Sequence, residues 1–369
     1  MLGYWGEIRQ VYEEHKQIQL LQVYLAALGK SVPAVYYVSY GERCQVGDWV
    51  KVNITALELD LGTGGYGFVM ARCNHSQEVV KDTASPYPGH IMKLRYTPWQ
   101  TPVLVSEAPE SEHHALFTEP FDLEGKYILL GELHSMLPVM VSLLRNWDPQ
   151  RKIAYIMDDQ AALYASFSQH LRYLQARYGL IVITYGQGLG GDLETVNLFT
   201  ALEAAHKIVR ADDVIITQGP GVVGTRTIRG FSGMQLVNWL HAVHTCGGRS
   251  MVIPRIQFTD KRSRHYGISQ HTLYPLHAHA LVPVILPVPV QKEQVTEEER
   301  IIWQQAEALR EKHEVVPVPR SMFQAELEEA LSSYERAITT MGKSYHEEPY
   351  FFYAIAACFH LYKERLSSL

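Results

Sequence analysis

The sequence has few cysteines and lacks the spacing that marks a disulfide framework or a dithiol redox motif. A chain of 369 residues carries only four, none of them in a C-x-x-C pair: Cys44, Cys73, Cys246 and Cys358. Reduced thiols are the simplest account of so few cysteines, and they favour a reducing compartment. We therefore expect a cytoplasmic protein without disulfides.

Long apolar runs are also missing. The segment Met1–Lys16 places charged residues among its apolar ones, unlike the continuous apolar core of a signal peptide. The most apolar stretch near the C-terminus, Tyr350–Tyr362, is too short to span a bilayer. We expect it to form a final core helix, and we expect no membrane association.

The chain has no excess of basic residues. Its formal net charge is -6 at pH 7, whereas broad nucleic-acid binding needs a basic surface. Hydrophobic residues make up 47% of the chain and charged residues 20%, which excludes disorder on composition. The length suits two domains. We expect a globular protein with no nucleic-acid partner.

What is present begins with a β-rich N-terminal part. The runs Val32–Val38 and Asp48–Ile54 are rich in β-branched and aromatic residues, and turn residues separate them. Short strands with close turns predict a small barrel or sandwich, and we expect a β-barrel-like domain over residues 1–105. The glycine-rich Gly62–Gly67 segment has no assigned role. The polar stretch 106–125 is expected to be a linker.

From residue 126 short apolar runs alternate with longer amphipathic ones. This alternation predicts an α/β domain over 126–290, with a doubly wound, mostly parallel, Rossmann-like sheet. Helices over 291–369 are expected to pack on it. The predicted strands are Tyr127–Leu130, Ile153–Met157, Leu180–Thr184, Val214–Thr217, Met251–Ile253 and Val282–Leu286, and the predicted helices are Gln160–Arg177, Thr195–Arg210, Met234–Thr245, Thr296–His313 and Met322–Met341.

The first candidate ligand site is a glycine-rich turn after the strand that ends at Thr184. Its glycines allow the backbone to approach a phosphate, and a helix predicted near Leu193 would point its free N–H groups at that anion. The alternative is a tight strand-to-helix turn with Asp192 as the N-cap. The candidate ligand-binding residues are Gly186, Gly188, Gly190 and Gly191.

This G-x-G-x-x-G spacing also resembles a dinucleotide fingerprint, which needs an acid at the end of the next strand. That strand ends in Thr217-Gln218, whereas Asp212 and Asp213 lie at its start. A nicotinamide or flavin oxidoreductase is therefore disfavoured, and no cofactor is assigned.

A second glycine-rich segment follows the next strand, so both turns are expected at one edge of the sheet. It repeats the spacing and adds side chains that donate to an oxyanion. An ordered Ω-like loop in which Ser232 caps the next helix is the alternative. The candidate residues are Gly219, Gly221, Gly224, Thr225, Arg226 and Arg229.

The third candidate is the basic, histidine-bearing stretch from Arg255 to His279. Arg255, Lys261, Arg262 and Arg264 outnumber its single acid, Asp260. Of these cations we place Arg264 among the ligand-binding candidates, because such a positive excess favours an anion.

Histidines of the same stretch are candidates for proton transfer. His265 or His271 would act as a general acid or base near neutral pH. The histidine spacing matches no standard zinc signature, so no metal ligand is assigned. A solvated basic loop without a ligand is the alternative to both interpretations.

Acidic and histidine side chains complete the predicted edge. Asp158 ends the second strand and is a candidate to bind a ribose hydroxyl or a cation, while Asp159 is expected to cap a helix. His134 follows the first strand at the same edge.

These motifs together resemble a bacterial family known as domain of unknown function 3866. The resemblance spans nearly the whole chain, and it implies a bacterial cytosolic protein without supplying an activity, a substrate or a catalytic residue. The segments that carry it are Val46–Val50, Leu61–Gly65, Gly89–Tyr96, Gly186–Asp192, Gly219–Thr225 and Arg255–Thr272.

The leading hypothesis is that the α/β domain binds a phosphorylated or nucleotide-like anion at the carboxyl edge of its strands, with enzymatic activity left open. A non-catalytic regulatory or partner-binding protein is the alternative from a different class. The sequence leaves the oligomeric state and the identity of the small anionic ligand undetermined.

Overall fold

A computed structural model describes residues 3–54, 57, 65–73, 89–93, 101–160, 162–260, 262–291 and 295–368. The chain divides into two compact units, Met1–Val103 and Leu104–Leu369. Residues 106–125 belong to the second unit. Lys261, residues 62–64 of the Gly62–Gly67 segment and residues 94–96 of the Gly89–Tyr96 motif lie outside the described residues.

The first unit contains a closed five-stranded barrel. Its order is β1-β2-β3-β5-β4, and only the β3–β5 pair is parallel. This is the Greek-key arrangement of an OB-fold, which confirms a small N-terminal barrel. The strands are β1 Gly3–Glu14, β2 Ile18–Leu25, β3 Lys30–Tyr37, β4 Trp49–Asn53 and β5 Gly67–Cys73, and β6 Ile91–Lys93 pairs separately with β7 Thr101–Val103.

The second unit contains an eight-stranded sheet in which every neighbouring pair is parallel. Its order is β11-β10-β9-β12-β8-β13-β16-β17. The strands are β8 Tyr127–Gly131, β9 Ile153–Asp158, β10 Ile181–Thr184, β11 Leu193–Glu194, β12 Asp213–Gln218, β13 Arg249–Ile253, β16 Ile285–Val288 and β17 Glu314–Pro317, with a separate antiparallel pair of β14 Ile256–Gln257 and β15 Gly267–Ile268.

Helices cover both faces of this sheet, which confirms the doubly wound α/β prediction. Alternate strand residues enter two separate apolar cores, one under α1, α2, α7 and α8 and the other under α3, α4 and α6. The helices are α1 Met136–Trp147, α2 Gln169–Tyr178, α3 Leu198–Glu203, α4 Gln235–Thr245, α5 Gln270–Tyr274, α6 Glu297–Glu307, α7 Gln324–Ser333 and α8 Pro349–Ser367.

Several predicted boundaries were wrong. No helix begins near Leu193, because this residue and Glu194 form edge strand β11. Helix α2 begins nine residues later than the predicted Gln160 start, at Gln169, where the Ser168 side chain caps it. The C-terminal part was expected to be mostly helical, and the strand β17, which lies between two of its helices and joins the sheet edge, was not predicted. Strand β17 reads Glu-Val-Val-Pro, and its apolar run of two residues is too short to be recognised as a strand.

The apolar C-terminal stretch forms α8, a helix that is buried over most of its length, as predicted. Among the described residues no helix combines the length and the apolar character that crossing a membrane requires.

Candidate functional site

Three polar side chains lie in a row across adjacent strands at the carboxyl edge of the sheet. Gln218 at the end of β12 is in register with Asp158 at the end of β9. On the other side Thr217 pairs with Gly131, so Glu132 follows β8 next to Gln218. Because side chains alternate along a strand, all three share the face of α4. We call Asp158, Gln218 and Glu132 the polar row.

Asp158 is fully buried and its hydrogen bonds are satisfied within the chain. Its Oδ2 accepts from the Tyr185 hydroxyl and, at 2.9 Å, from Trp239 Nε1. Its Oδ1 accepts from the Gln160 backbone N–H at 3.0 Å. Burial raises the pKa of Asp158 despite these donors. The residue anchors the strand end, and its oxygens are already occupied.

Glu132 is only partly satisfied. Its Oε1 accepts from Arg255 Nη1 at 3.1 Å and from His271 Nδ1 at 3.1 Å. Burial alone would raise the pKa of Glu132, but Arg255 and His271 lower it overall, so the group is a carboxylate. Glu132 Oε2 and Arg255 Nε are buried and have no hydrogen-bond partner among the described residues.

Gln218 is the least satisfied member of the row. Its side chain is 1% exposed, and neither Oε1 nor Nε2 has a hydrogen-bond partner in the described part of the chain. A buried carboxamide without partners is uncommon, because each unpaired polar atom keeps its desolvation cost. The carboxyl edge therefore holds donors and acceptors that the protein itself does not use.

His271 lies against this row with a fixed ring. Its imidazole stacks on Phe231, with ring centroids 3.9 Å apart and an angle of 5° between the planes. Its backbone N–H donates to Ser269 Oγ at 3.1 Å. Since the Glu132 carboxylate only accepts, Nδ1 of the neutral ring carries the proton, and Nε2 has no protein partner among the described residues.

His265 has a different arrangement. It is 1% exposed, and its Nε2 lies 3.1 Å from Arg264 Nε. A guanidinium only donates, so Nε2 accepts and Nδ1–H donates to Ser269 Oγ at 2.7 Å. Burial and the charge of Arg255 lower the pKa of His265 to about 3. Both ring nitrogens are engaged, and Arg264 serves to hold this ring.

The second glycine-rich segment, Gly219–Gly233, folds into a small hairpin that we call the glycine arm. Its Thr225 N–H donates to the Gly230 carbonyl at 2.8 Å, and its Ser232 N–H donates to the Val223 carbonyl at 2.9 Å. The predicted N-cap hydrogen bond of Ser232 does not form; its hydroxyl accepts from the Val223 N–H at 3.1 Å. Internal bonds therefore hold the arm together.

The arm packs over the polar row. A Cβ on Gly233 would lie 3.4 Å from Glu132 Cγ, and one on Gly224 would lie 3.8 Å from His271 Cε1. Several glycines of the arm have backbone N–H groups that are not used in the hairpin. The N–H groups of Gly219, Gly221 and Gly224 have no protein acceptor among the described residues.

Two arginines extend from the arm. Arg226 is exposed and has a left-handed backbone conformation with a φ of 65°. Such a positive φ is uncommon for residues other than glycine. The Arg229 guanidinium lies 5.7 Å from the centroid of the Tyr274 ring. Thr225 has a supporting role, since its hydroxyl donates to the Gly230 carbonyl at 3.0 Å. The arm thus adds positive charge beside its free N–H groups.

A cleft of about 340 Å³ borders the base of the arm, lined in part by Phe231, Ser232, Gln235 and His279. This volume is within the range of small-molecule sites.

The first glycine-rich turn has no comparable free donors. Asp159 Oδ2 accepts from the Gln187 N–H at 3.0 Å, and Glu194 Oε1 accepts from the Gly190 N–H at 2.6 Å. The Gly191 N–H donates to Thr184 Oγ1 at 3.2 Å. The N–H groups of Gly186 and Gly188 donate to backbone carbonyls of the chain. Acidic side chains of the protein therefore occupy the position that an anion would take.

His134 lies on the opposite face of the sheet from the polar row. Its ring nitrogens contact the Tyr155 hydroxyl at 3.1 Å and Ser168 Oγ at 2.7 Å, and burial lowers its pKa to about 3. Asp213 lies at the other end of its strand, where it binds Arg151 with two hydrogen bonds of 2.8 and 2.7 Å. Neither residue contacts the polar row: His134 follows the carboxyl end of β8 on the other face, and Asp213 lies at the amino end of β12.

The structure adds Glu132, Gln218 and Phe231, which sequence reasoning missed. The signal for the first two was present, because each is a polar residue directly at the end of an apolar strand. Phe231 carried no signal, since its role depends on the tertiary contact with His271. Within the described residues, no group of three or more histidine, cysteine or acidic side chains is arranged to hold a metal ion.

One family model matches residues 33–359, and its description is protein of unknown function (DUF3866). No curated protein matches the sequence.

Proposed function

The chain belongs to the DUF3866 family, and because that description assigns no activity, we propose from its site that it binds a small anionic ligand at the carboxyl edge of the α/β sheet. The ligand would lie between the glycine arm and the group formed by Glu132, Arg255 and His271. A phosphorylated or nucleotide-like compound fits this combination of groups.

The observation that carries the proposal is the unsatisfied Gln218 carboxamide. An unpaired buried polar group costs about 1–3 kcal/mol, so leucine or methionine at this position would give a more stable protein. A ligand that supplies a donor to Gln218 Oε1 and an acceptor to Gln218 Nε2 would satisfy the carboxamide. Glu132 Oε2 and Arg255 Nε, which follow the ends of strands β8 and β13, add one acceptor and one donor.

The charge of the site favours an anion. Arg255 and Glu132 neutralise each other across 3.1 Å. Arg226 and Arg229, both exposed on the glycine arm, and the free backbone N–H groups of the arm then supply the positive charge that an anion requires. Backbone N–H groups of glycines combined with arginine form typical oxyanion sites.

Dinucleotide binding at the first glycine-rich turn finds no support, because Asp159, Glu194 and Thr184 already accept from its N–H groups. Partner binding is the second candidate. Apolar side chains on the glycine arm favour it, since Val223 is 68% exposed and Ile228 is 58% exposed.

The test is a thermal-shift panel followed by calorimetry with inorganic phosphate, AMP, ATP, glucose 6-phosphate and NAD⁺. We expect at least one phosphorylated compound to raise the melting temperature of the wild type. Arg226→Ala combined with Arg229→Ala should weaken that binding at least tenfold. Arg300→Ala is the matched control, because Arg300 pairs with Glu297 at the surface of α6. A flat panel with folded protein would reject anion binding and favour a partner.

A further inference from the structure

His271 is arranged as a proton acceptor, and this inference rests on the proposed ligand site. We propose that His271 is a general base that removes a proton from the bound ligand through Nε2. The protein would then be an enzyme whose reaction begins with proton abstraction, and the ligand would be an anion that also carries an acidic O–H or N–H group.

The first argument is the tautomer. A general base needs a ring nitrogen with a free lone pair, and a carboxylate hydrogen-bonded to the other nitrogen fixes which one it is. Glu132 Oε1 lies 3.1 Å from His271 Nδ1, so that nitrogen carries the proton. Nε2 then keeps its lone pair, and no protein group in the described structure uses it.

The second argument is orientation. Phe231 stacks in parallel on the imidazole with ring centroids 3.9 Å apart, and the His265 ring makes a T-shaped contact with it, with centroids 4.7 Å apart and an angle of 88°. The Ser269 hydroxyl accepts from the backbone of His271. Together with the hydrogen bond to Glu132, these contacts restrict the orientation of the ring, as efficient proton transfer requires.

The third argument is the surroundings of Nε2. Cε1, the ring carbon between the two nitrogens, would lie 3.8 Å from a Cβ on Gly224, so the glycine arm borders the imidazole. In the proposed step the ligand proton moves to Nε2 and the electron pair of its O–H or N–H bond stays on the ligand. The free N–H groups of the arm would stabilise the negative charge left there. Glu132 would stabilise the imidazolium that forms.

His265 does not meet these requirements. Its Nε2 accepts from Arg264 Nε and its Nδ1–H donates to Ser269 Oγ. The His265 ring therefore has no free lone pair. Its Nδ1–H donates to the Ser269 hydroxyl, whereas a histidine that activates a serine must accept a hydrogen bond from it. His265 is a positioning residue for His271, and it serves as an internal reference in the test.

The experiment uses the full chain without any ligand. Diethyl pyrocarbonate acylates imidazole nitrogens that have a free lone pair, and peptide mass spectrometry reports the rate at each histidine. We expect acylation of His271 to be at least tenfold faster than that of His265. Nitrogen-15 NMR of labelled histidines should show His271 with its proton on Nδ1. In Glu132→Gln the carboxamide can donate as well as accept, so this tautomer preference should weaken.

A proton on Nε2 of His271 in the wild type, or acylation no faster than at His265, would overturn the proposal. The ligand site is tested separately by the binding panel on the wild type, which does not depend on the tautomer of His271. Retained binding with the wrong tautomer rejects the base alone. If the wild type binds no compound of the panel but His271 has the expected tautomer, the ligand site alone is rejected.

Discussion

Gln218 and Glu132 lie side by side at the ends of two neighbouring parallel strands, and both keep buried polar atoms that the protein does not pair. Their neighbour Asp158 is equally buried and fully paired. Within one row, Asp158 therefore stabilises the fold, whereas Gln218 and Glu132 have polar atoms that can still bind a ligand.

This contrast predicts that Gln218→Met stabilises the protein. Methionine has a similar length and no polar atoms that need partners, so the free energy of unfolding should rise by about 1–3 kcal/mol. Urea denaturation measures the change. Binding of the phosphorylated compound from the panel should fall at least tenfold in the same variant.

Asp158→Leu is the matched control in the same row. It leaves the Tyr185 hydroxyl and Trp239 Nε1 without their acceptor, at about 1–3 kcal/mol each. A Gln218→Met variant that is destabilised to a similar extent would show that its carboxamide has a structural role.

The buried ion pair predicts an asymmetric response to mutation. Glu132→Ala removes the partner of Arg255 and leaves a buried charge, which should lower the free energy of unfolding by about 3–5 kcal/mol. Glu132→Leu combined with Arg255→Met removes both charges and should be clearly less destabilising. A double variant that is as unstable as Glu132→Ala would contradict this account, with urea midpoints as the measurement.

Much of the fold could be predicted from the sequence, because buried parallel strands are continuous apolar runs. The runs around Ile153–Met157 and Val214–Thr217 became β9 and β12 with one or two residues added. Two strands of the sheet, β11 and β17, were missed. Strand β11 has two residues and β17 has an apolar run of only two before a proline, so both form through pairing with a neighbour and carry no recognisable pattern of their own.

The candidate site was predictable in position and less so in composition. Glycines at 186–191 and at 219–224 look alike in sequence, yet in the first turn Asp159 accepts from the Gln187 N–H and Glu194 accepts from the Gly190 N–H. Spacing along the chain does not show which carboxylates fold back onto a turn. The choice between His265 and His271 likewise depends on Arg264 and Glu132, whose contacts are tertiary.

Buried histidines predict loss of stability in mild acid. The pKa values of His265 and His134 are lowered from an ordinary value of 6.5 to about 3. The unfolded chain therefore binds more protons than the folded one between these values. Stability is fully present above pH 6.5 and falls as the pH is lowered toward 3, by at most about 1.4 kcal/mol per pH unit for each histidine.

Urea denaturation at pH 7.5, 6.0 and 5.0 measures this slope. His134→Gln should reduce the slope between pH 6.0 and 5.0, whereas substitution of the exposed His277 should leave it unchanged. An equal slope in His134→Gln and the wild type would show that this histidine is protonated in the folded state.

The first glycine-rich turn predicts a structural effect without an effect on binding. Gly186 has a φ of 60°, and a Cβ there would lie 1.9 Å from Asp159 Oδ2, so Gly186→Ala must displace the carboxylate that accepts from Gln187. Gly179 is the matched control, with a φ of 61° and nothing within 4 Å of a Cβ. Gly179→Ala should cost about 1–2 kcal/mol of backbone strain, and Gly186→Ala should cost more. Because the proposed ligand site excludes this turn, calorimetry should find the affinity for the phosphorylated compound unchanged in both variants. A loss of affinity in Gly186→Ala alone would show that the turn is part of the ligand site.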